Sequence, residues 1–179
     1  IINGTVSPSG KTADTYVADL TTTPTFNNVG DMQYSNLDDY REEIKEADSA
    51  FEGAIGFVNY VESIYVGYKF YETAAEENLI DYDSTVIYPF GYGLSYTNFS
   101  QELVAAPTTV NPDGTLTFQV KVTNTGAVAG KDAVQIYLSS PYTEYDMANG
   151  VEKAAMSLCA IAKTEEIAPG ESTNITLTV

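Results

Sequence analysis

The stretch LTFQVKVTNTGAVAGKDAVQIYLS, residues 116–139, decides the fold. Leu116, Phe118, Val120 and Val122 alternate with Thr117, Gln119, Lys121 and Thr123. A period of two sends one set to a core and the other to solvent, so 116–124 reads as a strand. Residues 131–139 alternate again, with Ala133, Gln135 and Tyr137 against Val134, Ile136 and Leu138. The glycine-punctuated TGAVAGK between the two segments reads as a turn. Downstream, SLCAIAKT at 157–164 is a further strand and IAPGEST at 167–173 a turn on Pro169 and Gly170. STNITLTV at 172–179 alternates on Ile175, Leu177 and Val179. Short strands divided by turns predict a mainly β fold, a β-sandwich. Only about five of a sandwich's seven strands are legible. An edge with unpaired N–H and C=O groups is therefore expected, through truncation at the carboxyl end or through pairing with another chain.

Before Thr97 the character differs. Residues 1–30 are rich in Thr, Ser and Gly and read as loop, with a turn on Pro8 and Gly10. NLDDYREEIKEADSA at 36–50 predicts a short exposed helix, with Asn36 able to cap it. AIGFVNYV at 54–61 reads as a strand. Between 62 and 76, positions 64, 65, 68, 71 and 75 fit one helical face, while 64–70 also fits a strand. The tyrosines of that stripe are expected in a core rather than on a sugar-stacking platform. In YPFGYGLSY at 88–96, Pro89 fixes φ and Gly91 and Gly93 allow positive φ or close approach. That segment predicts a rigid, largely buried bend between two domains, residues 1–96 and 97–179. The chain opens IINGTVSPSG, without the basic and apolar regions of a signal peptide, and reads as cut from a longer polypeptide.

Composition excludes several functions. The 25 acidic against 8 basic residues give a net charge of −17, which opposes nucleic acid and anionic membrane as partners. No apolar run reaches the roughly 20 residues of a membrane span. Histidine is absent, so Ser-His-Asp and Cys-His mechanisms are excluded. Cys159, the single cysteine, sits in an apolar strand and reads as a structural thiol. Asn-X-Ser/Thr triplets at Asn3, Asn98 and Asn174 weakly favour an extracellular or cell-surface location.

Four segments, in order, resemble glycoside hydrolase family 3, the β-glucosidase-like enzymes. VSPSGKTADTY at 6–16, YVESIYVGYKFYE at 60–72, YPFGYGLSYTNF at 88–99 and KVTNTGAVAGKDAVQIYLSSP at 121–141 each look like a family motif, and KTEEIAPGESTNITLTV at 163–179 continues the last. The resemblance implies the end of an α/β sandwich domain at 1–96, loop-rich and partly helical, and an immunoglobulin or fibronectin type III-like domain at 97–179. It also implies a parent enzyme that hydrolyses an oligo- or disaccharide with retention, through two carboxyls about 5–5.5 Å apart. The family's nucleophile motif is absent, and its acid/base residue normally precedes the match to Val6–Tyr16. No catalytic residue, cofactor or metal site is therefore assigned. Two positions depart from the pattern: Ser63 stands where the family has Gly, and Lys69 where it has Arg.

Other candidates have a structural reading. Glu62 is expected to accept local N–H groups or to pair with Lys69. Asp81 and Asp83 form a D-x-D pair that lacks the further oxygen ligands of a calcium site. A binding module is the alternative function, with Tyr137, Tyr142 and Tyr145 as carbohydrate-contacting candidates. A third reading is an interaction domain that pairs with another chain, or dimerises, through the open strand edge.

Overall fold

The computed structural model describes residues 1–28, 34–47 and 56–179. Its elements in chain order are β1 (Tyr16–Val17), α1 (Leu37–Ala47), α2 (Tyr68–Glu76), α3 (Tyr82–Thr85), β2 (Val86–Tyr88), β3 (Phe99–Ala105), β4 (Thr117–Asn124), β5 (Ala133–Leu138), α4 (Glu144–Asn149), β6 (Ser157–Lys163) and β7 (Ser172–Thr178). The molecule is mainly β, and its strand pairs are antiparallel.

The alternation in 116–139 builds what the sequence predicts. β4 is the centre of a three-stranded sheet, β3–β4–β7, and β5 pairs with β6 in a second sheet. Val120 faces Ile175 and Phe118 faces Leu177 across β4 and β7, so the apolar sets share one face. That face meets the second sheet through Val134 on β5, and Val120, Val122, Val134, Ile167 and Leu177 form the buried core. Phe99, Ile136, Ala160, Ala162 and Ile175 complete it. The result is a β-sandwich-like unit, in which each buried aliphatic side chain contributes roughly 1.5–3 kcal/mol.

The upstream part has its own small core. β1 and β2 pair through Tyr16–Tyr88 and Val17–Val86, and Val17 and Val86 pack on Tyr71 of α2. Helix α2 begins only at Tyr68. Ser63 at φ 52° and Gly67 at φ 56° interrupt the chain ahead of it, so 62–67 cannot continue the helical stripe. Helix α1 matches the expected 36–50 closely, with 48–50 outside the described residues. Residues 54 and 55 of the expected strand also lie outside them, and 57–60 carry no regular structure.

Five of these elements were not foreseen, of which β1, α3 and β2 are four residues long or shorter. β3 is exposed along most of its length, so it lacks the two-residue hydrophobic signal. Helix α4 lies between the strands expected at 131–139 and 157–164, where the sequence predicts no element. Its signal is a capping box: the Thr143 side chain accepts from the Asp146 N–H, while the Asp146 carboxylate accepts from the Thr143 N–H.

Candidate functional site

The family-like segments 6–16 and 88–96 lie side by side and form a seam against the sandwich. Pro89–Tyr92 closes a turn through Tyr92 N–H donating to the Pro89 carbonyl, with Gly91 at φ 81°. Gly91 N–H donates to Thr12 O at 2.9 Å, and Thr12 N–H donates to Tyr92 O at 2.7 Å. The Thr12 hydroxyl donates to Pro89 O at 2.8 Å. Ser7 and Ser95 hydroxyls meet at 2.9 Å, and Tyr96 N–H donates to Ser7 Oγ. A Cβ on Gly93 would stand 2.3 Å from the Gly10 carbonyl oxygen, so the glycine is required by close approach.

The seam then engages the sandwich. Lys11 reaches Asp132 at 3.4 Å, and Gln101 donates to the other carboxylate oxygen at 2.8 Å. Tyr68 lies against Phe90, with ring centroids 4.7 Å apart, and meets Tyr137 edge-on at 5.9 Å. Its hydroxyl accepts the Leu158 N–H at 2.7 Å. The bend is thus tied on several sides. It is not largely buried, however: Tyr88, Tyr92, Leu94 and Tyr96 are exposed large side chains. Its backbone, rather than its aromatic rings, makes the tight contacts.

Beside the seam, a half-open cavity of about 490 Å³ separates α2 from the β5–α4–β6 connection. Tyr65, Thr73, Glu76 and Glu77 line one side, and Ser139–Tyr142 and Lys153–Ala155 the other. Its floor is fixed by Ala155 N–H donating to Thr73 Oγ1 at 2.9 Å and by the Thr73 hydroxyl donating to Lys69 O at 2.6 Å. Lys153 closes the rim, bonded to Asp146 at 2.7 Å and to Pro141 O at 3.1 Å. The Lys153 ammonium and the Thr143 donors hold the Asp146 carboxyl down at about 2. Burial first, then Glu152, Tyr142 and Glu77, push the Tyr65 hydroxyl up, so it stays a neutral donor at ordinary pH.

The sequence candidates separate. Glu62 is buried and accepts from the Asn28 side-chain amide, rather than from Lys69 or local N–H groups. Asn28 was missed because its partner lies 34 residues away, beyond any local pattern. Asp81 caps α3 by accepting from Ser84 N–H at 3.0 Å, which gives the D-x-D pair a helix-start role. Among the described residues no group of three His, Cys, Asp or Glu could hold a metal ion. Cys159 is half-buried and donates to the Ser157 carbonyl. Tyr137 packs on Tyr68, whereas Tyr145 stands exposed on α4, so the three suggested tyrosines form no row. Tyr142 instead shares the cavity with Tyr65.

A fold of this kind, with these motifs at its seam, defines a segment of a β-glucosidase-like protein. The chain is 34% identical over its whole length to a β-glucosidase of Ruminococcus albus and 35% identical over 99% of its length to β-glucosidase A of Butyrivibrio fibrisolvens. It covers 15% and 19% of those proteins. It superposes in full, at a TM-score of 0.73 and 32% identity, on 16% of the solved β-glucosidase chain from Paenibacillus barengoltzii. No family model matches the chain. The chain belongs to glycoside hydrolase family 3 and spans less than a fifth of the length of these relatives.

Among the described residues no helix is long and apolar enough to cross a membrane.

Proposed function

We propose that this chain is a non-catalytic part of a retaining β-glucosidase-like hydrolase acting on an oligo- or disaccharide. Residues 1–96 form the end of an α/β sandwich domain, and residues 97–179 a fibronectin type III-like domain that buttresses the catalytic domains. One observation carries this reading. Retaining hydrolysis needs two carboxyls about 5–5.5 Å apart, one of them shielded enough from water to stay protonated as the general acid. The buried and half-buried acidic residues among the described ones are Glu62, Glu72, Asp132 and Asp146. Each is engaged within the chain, by Asn28, Tyr82, Lys11 with Gln101, and Lys153 with Thr143 respectively. These carboxylates hold segments together.

The exposed aromatic surface supports a buttressing role. Tyr16 and Tyr88 meet edge-on at 6.3 Å, Tyr92 lies tilted against Tyr88 at 4.9 Å, and Ile87 and Leu94 are also exposed. Exposed rings clustered in this way favour a contact with further protein.

The test uses the full-length protein that carries this chain. Asn124 is fully buried; its amide donates to Val128 O and Ile167 O, and its oxygen accepts from the Thr97 hydroxyl and Gly126 N–H. Asn124→Ala strands these groups and costs about 3 kcal/mol or more. The buttress reading expects a lower thermal midpoint with unchanged KM for a chromogenic β-glucoside in the folded fraction. Collapse of kcat at an unmoved midpoint would count against it.

A further inference from the structure

We propose that the cavity between α2 and the β5–α4–β6 connection binds a neutral oligosaccharide. Its size of about 490 Å³ lies within the roughly 300–1,000 Å³ of small-ligand sites and far exceeds the needs of a lone ion. The chemistry of its lining selects the occupant. Glu76 and Glu77 present carboxylates that enter no ion pair among the described residues. With a net charge of −17 around them, they repel an anion. The one ammonium in the cavity, Lys153, already has Asp146 and Pro141 O as partners. A metal ion finds no third ligand of the usual kind among the described residues.

What remains suits a polyol. Sugar hydroxyls both donate and accept. They can donate to Glu76 and Glu77 in charge-assisted bonds and exchange hydrogen bonds with the hydroxyls of Ser140, Tyr65 and Tyr142. The two tyrosine rings offer apolar faces to the C–H face of a pyranose. The site is also held before any ligand arrives. Thr73 ties its floor to α2, and the Ser139 hydroxyl donates to Ala155 O at 2.7 Å across the far side. A pre-organised site loses less ordering entropy on binding.

The lining alone argues for a sugar; the choice of a β-linked glucose disaccharide as probe rests on the hydrolase reading above. Cellobiose is titrated into the full chain, with heat and amide NMR shifts as readouts and released glucose measured in the same sample. The proposal expects saturable binding with a Kd on the order of 1 mM. Shifts should fall at residues 65, 73, 76–77, 139–142 and 153–155. Tyr142→Ala and Glu77→Gln should each weaken binding by about tenfold or more, equivalent to about 1.4 kcal/mol. Tyr145→Ala, exposed on α4 and outside the cavity, should leave it unchanged. No saturation, shifts elsewhere, or equal effects of Tyr142→Ala and Tyr145→Ala would overturn the proposal. Saturable binding at these residues supports it whether or not glucose appears; glucose release would count against the non-catalytic reading alone.

Discussion

Ser63 occupies a backbone conformation that favours glycine. Its φ of 52° lies in the left-handed region, which costs an L residue with a Cβ roughly 1–2 kcal/mol. The family resemblance places Gly at this position, and the observed dihedral supplies the physical reason. Ser63→Gly relieves the strain but enlarges the entropy of the unfolded chain, leaving a net gain of about 0.5–1 kcal/mol. Chemical denaturation should show a higher midpoint at unchanged slope; a lower midpoint would contradict the assignment. A second residue-scale prediction concerns Asp146. Its folded carboxyl titrates at about 2 against an ordinary value of 3.8, because Lys153 and Thr143 bond the charged form. The contribution to stability is therefore full above the ordinary value and is lost as pH falls from there through about 2. An NMR titration of the Asp146 carboxyl should show a midpoint near 2, and protection of α4 amides should fall over the same interval. A midpoint at the ordinary value would show that the clamp is absent in solution.

At the scale of elements, the seam between 6–16 and 88–96 depends on close backbone approach. Gly93→Ala would drive a Cβ against the Gly10 carbonyl, which is backbone and cannot swing aside. The expected cost is about 1–3 kcal/mol, read as faster amide exchange at Thr12 and Gly91. Unchanged exchange and stability would mean that the two segments are not locked. Gly91 offers a contrast, since a Cβ there meets the movable end of the Gln135 side chain and the penalty comes mainly from φ. Legibility follows the same physics. β4, β5 and β7 were readable because their side chains alternate, and β6 because it is an apolar run of strand type. β3 was not, because nearly all of it is exposed and its sequence carries no contrast. Helix α4 spans 6 residues, too few for a helical period, and only its Thr143 and Asp146 cap announced it. The start of α2 was misplaced because Ser63 and Gly67 act through φ, which hydrophobic spacing does not record. Among site residues, the roles of Lys11 and Gln101 could not be read, since their shared partner Asp132 lies far along the chain.

At the scale of the molecule, two small cores are joined by a seam built from family-like segments, and the carboxylates at that seam are engaged in structural bonds. The chain covers 15% to 19% of the curated relatives discussed above, which leaves most of such a protein to supply chemistry. On the reading proposed above, the exposed tyrosines and the cavity beside α2 serve contact and binding. The most direct measurement is hydrolysis of a chromogenic β-glucoside by the purified 179-residue chain beside the full-length protein that carries it. The account expects release of the chromophore by the full-length protein and none above background by the chain alone. Turnover by the chain at a rate comparable to that of the full-length protein would contradict it.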